Sequence, residues 1–508
     1  MSRLPLTSLF IIISKIGSLE IPPIFDVFQQ MTDCYKDRSP RFVGYLSNGM
    51  VENNLAKPQH RCVSLVMGAV GLQDYRSGSD STFSLKSPGG RVITLMLDGA
   101  PRTFRRLHSK LPDFPRETRI SLDGSEDIRG TQRGPLDVIS SWVQDFPSRF
   151  TFIASDGELA LLSWDTLGIK QVYLGEKEDA IGFATDENFL HRLGFTQLHA
   201  LKFGSCILLS KHGVTRRDPI SLPYQGKSRE DLHASAEELL KALFAAISEE
   251  VSGFDRVGVA FSGGIDSSII AKIASTTGID VILYASGVAG ANDLLFAEKA
   301  AGWLGLPLVL VPLSLEGAEA DLSKIISILG TSSVMELSIE LPVYATIRSM
   351  RDDGLLMALS GQGADELFGG YFRHLLAFRE GGYPGLSRSL RQDMVETCAQ
   401  NVMRERAIAR SARLELLSPY LDLEVLRVGL NISPELKVLG SMDLLRKAVL
   451  RESGHKLNLP DEIVYRKKKA VQYGSGSLKI MRQLAKKKGY TVSEYLLSLQ
   501  EKNACGNA

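Results

Sequence analysis

A glycine-rich stretch near the middle of the chain has the residue types that bind phosphate. Residues 262–268, here named the first loop, read Ser-Gly-Gly-Ile-Asp-Ser-Ser and follow the apolar run 257–261. Glycines let the backbone approach a ligand closely, and a helix that begins here offers free N–H groups and a positive dipole end to an anion. Asp266 would repel a bare phosphate, so its presence indicates a bridging Mg²⁺. The alternative is an ordinary strand-to-helix turn, and the stretch is not a Walker loop because no Lys follows in the required register.

A second glycine-rich stretch has the same position after an apolar run. Residues 360–366, here named the second loop, read Ser-Gly-Gln-Gly-Ala-Asp-Glu and follow the run 355–359. If both runs are parallel strands of one sheet, both loops face the crevice beyond the carboxyl ends of the strands, where such sheets bind ligands. Asp266 and Asp365 would then hold one Mg²⁺ between them through a pyrophosphate group. Packing alone does not explain two glycine-rich strand ends that each carry an Asp.

The sequence around the two loops predicts how they are held. After an amphipathic helix predicted at about 229–251, short apolar runs alternate with segments of helical periodicity, and from about residue 386 the pattern is mostly helical. This alternation predicts a doubly wound parallel sheet covered on both faces. Residues 1–215 instead read as short strands and turns, which predicts an α+β half built on antiparallel sheets. Two prolines and a glycine within residues 218–228 predict a linker between the halves.

Composition limits the class of protein. The 508 residues are 44% hydrophobic and 23% charged, with a net charge of +1, so no global field would attract nucleic acid or an acidic membrane. No run reaches the roughly 18 apolar residues of a membrane span, and residues 10–13 are better explained as a buried strand than as a signal peptide. The five cysteines are far apart and form no CxxC pair, which favours a reducing cytoplasm over a disulfide framework or a zinc site.

The two loops together resemble the synthetase domain of asparagine synthetases. The likeness extends to Leu-Phe-Gly-Gly-Tyr at 367–371, and later segments at 419–422, 445–448 and 466–468 resemble further landmarks of that family. It covers about residues 230–480. The resemblance implies an ATP-pyrophosphatase fold that joins a side-chain carboxylate to AMP and releases pyrophosphate. Ammonia then displaces AMP to give an amide.

The resemblance also implies which residues carry the site. Lys468, within the basic run 466–469, matches the catalytic lysine that would stabilise the departing pyrophosphate; a solvated basic surface is the alternative for this run. Lys468, Asp365 and Asp266 are the implied catalytic residues, and the two aspartates are the implied Mg²⁺ ligands. The implied ATP contacts are Phe261, Ser262, Gly263, Gly264, Asp266, Ser267, Ser268, Ser286, Ser360 and Gly361. Phe261 contributes either its side chain or only its backbone.

Some positions depart from the family pattern. Gln362 stands where the second loop often has Glu, and an amide cannot act as a general base. Ser338 and Leu417 stand where arginines are usual. Glu336 and Glu340 lie four residues apart on a predicted helix, where they either recognise an amine or face solvent. These departures leave the ATP chemistry in place and make the identity of the acceptor an open question.

Residues 92–210 faintly resemble the class II glutamine amidotransferase domain of the same enzymes, which implies an Ntn-type sandwich. That domain needs Cys as its first mature residue, but here Ser2 follows Met1 and no Cys precedes Cys34. Asp98 also replaces the Asn that would donate to the oxyanion, and a carboxylate there would repel that charge. We therefore predict a scaffold that does not hydrolyse glutamine.

These observations predict three regions: a degenerate amidotransferase-like domain at 1–217, an asparagine synthetase-like ATP-pyrophosphatase domain at 229–480, and an extension at 481–508. The predicted activity is an ATP- and Mg²⁺-dependent, AMP-forming amide ligase that uses aspartate and ammonia. A separate glutaminase and a homodimer are options for its partners, whereas a membrane or nucleic acid is not expected. Two alternatives remain: the same ATP chemistry on another acceptor, in a lactam-forming or nucleic-acid-modifying enzyme, or a regulator that binds nucleotide without catalysis.

Overall fold

The computed structural model divides the chain into two compact units, Pro5–Leu222 and Pro223–Ala508. The second unit is described almost throughout, at residues 231–467 and 471–506. The first is described at residues 8–14, 19–20, 41–45, 51–53, 62–63, 65–70, 82–86, 92–99, 150–155, 159–165, 172–185, 187–201, 204–210 and 212–219.

The first unit is a sandwich of antiparallel sheets. A seven-stranded sheet has the spatial order Leu198–Leu201, Val172–Glu176, Ala180–Ala184, Ser8–Ser14, Leu65–Val70, Arg41–Tyr45 and Val51–Asn53. A six-stranded sheet has the order Gly213–Pro219, Ser205–Ser210, Ala160–Trp164, Phe150–Ser155, Val92–Gly99 and Thr82–Lys86. A short pair, Leu19–Glu20 with Cys62–Val63, and the helix Glu187–Arg192 complete the described elements. Buried side chains from both large sheets, including Ile11, Phe183, Ile153 and Trp164, form one core, as expected when two half-apolar sheets pack face to face.

The second unit is built on five parallel strands. Their spatial order is Leu308–Leu313, Asp280–Val288, Arg256–Ala260, Met357–Leu359 and Glu415–Leu417. In chain order the first three strands run outward from Arg256–Ala260 to one side, and the last two lie on its other side. The order therefore reverses between Arg256–Ala260 and Met357–Leu359. In open α/β sheets the crevice at such a switch point is where ligands bind.

Helices cover the parallel sheet and form most of the remaining chain. The α-helices are Leu232–Glu250, Ile265–Ser275, Asn292–Leu304, Leu315–Leu329, Val334–Asp352, Ala364–Phe368, Phe372–Asp393, Ala399–Ser411, Leu423–Asn431, Ala448–Lys456, Asp461–Val464, Val471–Gly474, Ser477–Lys488 and Val492–Gly506. A π-helical turn, Met394–Cys398, and the 3₁₀ turns Pro419–Leu421 and Pro434–Leu436 complete the described helical elements.

The C-terminal helices share the core of the sheet. Met481, Leu484 and Leu496 are buried in the same apolar cluster as Leu322, Leu337 and other residues of the central helices. Residues 481–506, which the sequence sets apart as an extension, therefore pack as an integral layer of the second unit.

The architecture agrees with the sequence-based prediction in its main elements and differs from it in two short strands. The doubly wound parallel sheet, the antiparallel first half and the helical C-terminal part are confirmed. Two short strands are not indicated by the sequence pattern: Thr82–Lys86 lies in the Ser- and Gly-rich stretch 77–90, whose composition predicts a loop, and Glu415–Leu417 adds the fifth parallel strand. None of the described helices is by itself long and apolar enough to cross a membrane, and only the pair Leu315–Leu329 and Val334–Asp352, bent by 111°, passes that test when joined.

Candidate active site

The first loop closes into a compact turn at the carboxyl end of the central strand. Gly263 has φ +70°, and a Cβ there would come within 2.9 Å of Phe296, so a side chain is excluded by conformation and by space. The hydroxyl of Ser267 accepts the N–H of Ser262 at 3.3 Å and donates to Gly264 O at 3.2 Å. The helix Ile265–Ser275 begins directly after Gly264 without a side-chain cap. Its first N–H groups thus remain available to an anion, as a phosphate site requires.

The second loop touches the first across the switch point. A Cβ at Gly361 would lie 3.3 Å from Asp266 Cβ and 3.5 Å from Ser267 N, so the two loops are in close contact here and a side chain at this position would press on Asp266. The hydroxyl of buried Tyr420 donates to Asp266 O at 3.1 Å. Burial, followed by the charges of Asp266 and Asp365, holds the pKa of Tyr420 well above its ordinary value, so this hydroxyl stays a donor.

Asp266 and Asp365 converge on a single cation, the ammonium of Lys447. Nζ lies 2.7 Å and 2.6 Å from the two carboxylate oxygens of Asp266 and 2.6 Å from Asp365 Oδ1. The exposed fractions of the three side chains are only 3% for Lys447, 17% for Asp266 and 14% for Asp365. The sequence prediction that these two aspartates share one site therefore has a geometric basis, although the group between them is a lysine.

The backbone that presents Lys447 is unusual and tightly held. Arg446 and Lys447 both have φ +55°, a left-handed conformation that side chains rarely adopt. Asp443 Oδ1 accepts the N–H of Leu445 at 3.1 Å and of Arg446 at 2.8 Å. Arg451 donates to Arg446 O at 2.8 Å and to Leu445 O at 2.7 Å. These bonds fix the turn that aims Lys447 at the two loops.

The two carboxylates fit a divalent metal by their chemistry. Because both contact one nitrogen atom, oxygens of Asp266 and Asp365 lie no more than about 5 Å apart, and oxygen ligands of this kind are those Mg²⁺ prefers. Within the described part of the chain, no group of three or more His, Cys, Asp or Glu side chains is arranged to hold a metal. Remaining ligands would thus have to come from phosphate oxygens and water, as is usual for Mg²⁺ in nucleotide sites.

Further implied ATP contacts line the same edge of the sheet. Phe261 is buried and its N–H donates to Tyr284 O at 2.8 Å, so its side chain belongs to the core and its backbone borders the crevice. The hydroxyls of Ser268 and Ser286 are buried and have no hydrogen-bond partner among the described residues. A buried hydroxyl without a partner is costly, so both are candidates to bind ligand oxygens.

The segment that carries the implied catalytic lysine is anchored at this edge on both sides. Arg466 donates to Ser262 O at 2.5 Å and to Asp293 at 2.7 Å. Beyond it, Ser475 O accepts the N–H of Val288 at 2.8 Å, at the end of the second strand. Lys468 itself lies outside the described residues, so its role remains a prediction.

An acidic cluster that includes the last residue of the second loop, Glu366, lies at this side of the site, and two of its members, Glu340 and Glu366, are buried. It consists of Glu336, Glu340, Glu366 and Glu405. Arg404 pairs with Glu336 at 3.2 Å and with Glu340 at 3.1 Å. Glu340 is 1% exposed, which rules out the alternative that it faces solvent.

Burial and mutual repulsion perturb the acids of this cluster. Burial, partly offset by Arg404, raises the pKa of Glu340 to about 7. Burial and then the Glu340 carboxylate raise the pKa of Glu405 to about 8. Ser360 Oγ donates to Glu405 Oε2 at 3.2 Å and thereby links the cluster to the second loop. Perturbed acids beside a crevice are typical of functional sites.

Sequence reasoning assigned no role to Lys447, Arg404 or Glu405. Lys447 lies inside a segment that resembles a family landmark, which was the available signal. Arg404 and Glu405 lie on a polar helix, Ala399–Ser411, whose sequence gives no sign that this turn is inside the protein. Ser338, which stands where the family usually has Arg, is buried, and its hydroxyl donates a hydrogen bond to Met335 O at 2.8 Å.

The comparison with protein-family models matches residues 238–397 and 378–494 to asparagine synthase, and the two segments together span just over half of the chain. The chain belongs to the asparagine synthase family. Curated relatives of this family member include a putative glutamine-hydrolyzing asparagine synthetase 1 of Methanocaldococcus jannaschii, 36% identical over 307 residues that cover 54% of this chain and 56% of that protein. Glutamine-hydrolyzing asparagine synthetase B of Escherichia coli is 26% identical over 365 residues, or 68% of this chain and 63% of that protein. The chain spans about half the length of the relatives it matches.

Solved structures similar to this asparagine synthase family member are distant. Glutamine phosphoribosylpyrophosphate amidotransferase from B. subtilis is 13% identical, with a TM-score of 0.33, and the match covers 61% of this chain and 91% of that one. NMN synthetase from Francisella tularensis is 14% identical, with a TM-score of 0.28, and the match covers 54% and 93%.

Proposed function

We propose that this protein is an ATP-dependent ligase that joins a carboxylate, aspartate, to AMP with release of pyrophosphate and then forms an amide with ammonia. The observation that carries the proposal is the convergence of two glycine-rich loops, with Asp266 and Asp365, on one cation at the switch point of a parallel sheet. Family membership and the match to asparagine synthetases support the choice of chemistry.

Each part of the site has a task in this reaction. The first N–H groups of the helix Ile265–Ser275 and the hydroxyls of the first loop would bind phosphate oxygens. A bound Mg²⁺, held by Asp266 and Asp365, would supply positive charge to the pyrophosphate as it leaves. Lys468 would stabilise the same developing charge. The two loops are in close contact at Gly361, and nucleotide and carboxylate would meet at this edge.

Ammonia is proposed as the nitrogen source because of Asp98 in the first unit. Asp98 lies in the strand Val92–Gly99, opposite Thr151 of the neighbouring strand. An aspartate at the place where an oxyanion must be stabilised would oppose glutamine hydrolysis. Ammonia would then come from solution or from a separate glutaminase.

The test is a product assay with the purified full-length chain. ATP, Mg²⁺, aspartate and ammonium should yield AMP, pyrophosphate and asparagine in equal amounts, and glutamine should not replace ammonium. Asp266→Ala should abolish pyrophosphate release and serves as the inactive control. Failure to form AMP or asparagine from aspartate and ammonium would remove this product from consideration.

A different acceptor is the second candidate, and the second loop favours it. Gln362 cannot act as a base, and the acidic cluster of Glu336, Glu340, Glu366 and Glu405 adjoins this loop, with Arg404 as the cation that pairs with two of the four acids. Screening carboxylates for ATP-dependent pyrophosphate release separates this candidate from the first, because another acid would then support release where aspartate does not. If no carboxylate does so while ATP still binds, a nucleotide-binding regulator is the better description.

A further inference from the structure

The ammonium of Lys447 occupies the place from which Asp266 and Asp365 would hold a metal. Nζ contacts both carboxylate oxygens of Asp266 and one of Asp365, all between 2.6 and 2.7 Å. Mg²⁺ bound by the same two carboxylates would need these oxygens at about 2.0–2.1 Å. An ammonium and a divalent ion of like charge cannot share this space, since both would contact the same oxygens.

The charge of the site makes it ready for an exchange. One ammonium faces two carboxylates, so the three side chains together carry a net charge of −1 when all are ionised. All three side chains are mostly shielded from water, which strengthens their attraction for a cation. Lys447 therefore holds the two carboxylates together but leaves one negative charge, which attracts a further cation.

The backbone of Lys447 is fixed by hydrogen bonds, whereas its ammonium lies at the end of a long side chain. The turn at 445–447 is held by Asp443 and Arg451. The lysine ammonium, in contrast, sits on a flexible four-carbon stem. A shift of rotamer would carry the charge from the carboxylates toward a neighbouring anion without disturbing either loop.

We infer that Lys447 is a positioning residue that acts as an exchangeable counter-ion. Before nucleotide binds, its ammonium holds Asp266 and Asp365 together, and it must leave them before they can bind a divalent cation. Phosphate groups of the nucleotide, which bring the metal, give the displaced ammonium a new partner. The inference rests on the proposed function for the identity of that nucleotide, whereas the competition between lysine and metal follows from the geometry alone.

The test measures divalent-metal binding to the full-length protein without nucleotide or carboxylate. Mn²⁺ serves as the probe, and free Mn²⁺ is followed by electron paramagnetic resonance. Wild-type protein should bind Mn²⁺ weakly, and Lys447→Met should bind it at least about tenfold more tightly because a competing charge in contact with the ligands is gone. Lys447→Arg, which keeps the charge, should stay as weak as wild type.

Two further variants identify the site. Lys456→Met removes a lysine at the far end of the helix that follows Lys447, where it pairs with Glu237 at 2.9 Å on the surface, and should leave Mn²⁺ affinity unchanged. Adding Asp266→Asn to Lys447→Met should abolish the gain. Equal Mn²⁺ affinity in wild type and Lys447→Met, or a gain that survives Asp266→Asn, would overturn the inference.

If Lys447→Met fails to fold in metal-free buffer, its melting temperature supplies the answer. Mn²⁺ should then restore folding, because the metal replaces the lost counter-ion; no restoration would show that Lys447 is only structural. The outcome is independent of turnover. A gain in Mn²⁺ affinity in a protein that forms no amide would support the inference and count against the proposed function, and an active ligase without that gain would do the reverse.

Discussion

Gly370→Ala should disrupt the site without changing any group that carries chemistry. Gly370 does not have a positive φ, so an alanine is excluded there by space rather than by backbone conformation. A Cβ at this position would come within 2.8 Å of Asp365 Cγ and would overlap both Asp365 Oδ1 and Lys447 Cε. Carbon atoms in good contact are about 3.5–4.0 Å apart, so Asp365 must move by about 1 Å.

The magnitude follows from what that movement breaks. Asp365 and Lys447 are mostly buried partners at 2.6 Å, and separating such a pair costs about 3–5 kcal/mol of folding free energy. A misplacement of 1 Å in a catalytic site costs about a hundredfold in rate. We therefore expect a hundredfold lower rate of ATP–pyrophosphate exchange and a free energy of unfolding lower by about 3 kcal/mol.

The matched control is Gly302→Ala. Gly302 is exposed on the helix Asn292–Leu304, and a Cβ there meets nothing within 4 Å. Its alanine variant should keep the wild-type rate of ATP–pyrophosphate exchange. Its free energy of unfolding should rise by about 0.5–1 kcal/mol, since Gly is a poor helix former. Exchange and urea unfolding are measured for both variants. Wild-type exchange together with wild-type stability in Gly370→Ala would refute the claim that this glycine preserves the ion pair.

The remaining predictions concern the surroundings of the site. The raised pKa of Glu405, about 8 against 4.5 when unfolded, means that the folded state holds a proton that the unfolded chain releases. Stability should therefore fall as pH rises from about 5 to 8, and Glu405→Gln should reduce this fall by at least about 1.4 kcal/mol, the equivalent of one pKa unit; equal pH profiles of melting temperature would contradict this. Tyr420→Phe loses the hydrogen bond to Asp266 O and should destabilise the protein by about 1 kcal/mol in urea unfolding, and no change would mean that the bond contributes nothing. Arg466→Lys cannot keep both of its bonds, one of them to Ser262 O, and should raise the KM for ATP about tenfold; an unchanged KM would show that this anchor does not serve ATP.

Much of the fold could be predicted because its signals are local. Apolar runs followed by glycine-rich loops mark the strands and the edge at which they end, and the structure brings Asp266 and Asp365 together there. The strand Glu415–Leu417 could not be recognised because only Leu416 and Leu417 of it are apolar, whereas the equally short strand Met357–Leu359 lies within the longer apolar run 355–359. The strand Thr82–Lys86 was missed because its serine-rich surroundings resemble a loop.

The rest of the site depends on contacts between distant parts of the chain. Nothing in the sequence near Lys447 shows that two left-handed residues will turn its ammonium toward Asp266, 181 residues away. Arg404 and Glu405 are charged residues of the kind that usually face solvent on a helix. They are shielded from water because the helix Val334–Asp352 packs against them. Sequence alone also could not show that Gly370 is glycine to make room for an ion pair.

The pairing of the strands Arg256–Ala260 and Met357–Leu359 at the switch point affects the order in which the second unit folds. The strand Met357–Leu359 joins the central strand through only two pairs, Gly258 with Ala358 and Val259 with Leu359, a hundred residues apart in the chain. The entropy of closing so long a loop opposes this pairing until both strands are in place, and Arg466, which holds Ser262 O, comes from still further along the chain. Nucleotide binding should consequently appear only in the last step of refolding, after most helices have formed, and a ribosome-bound chain that ends before Arg466 should not yet hold ATP.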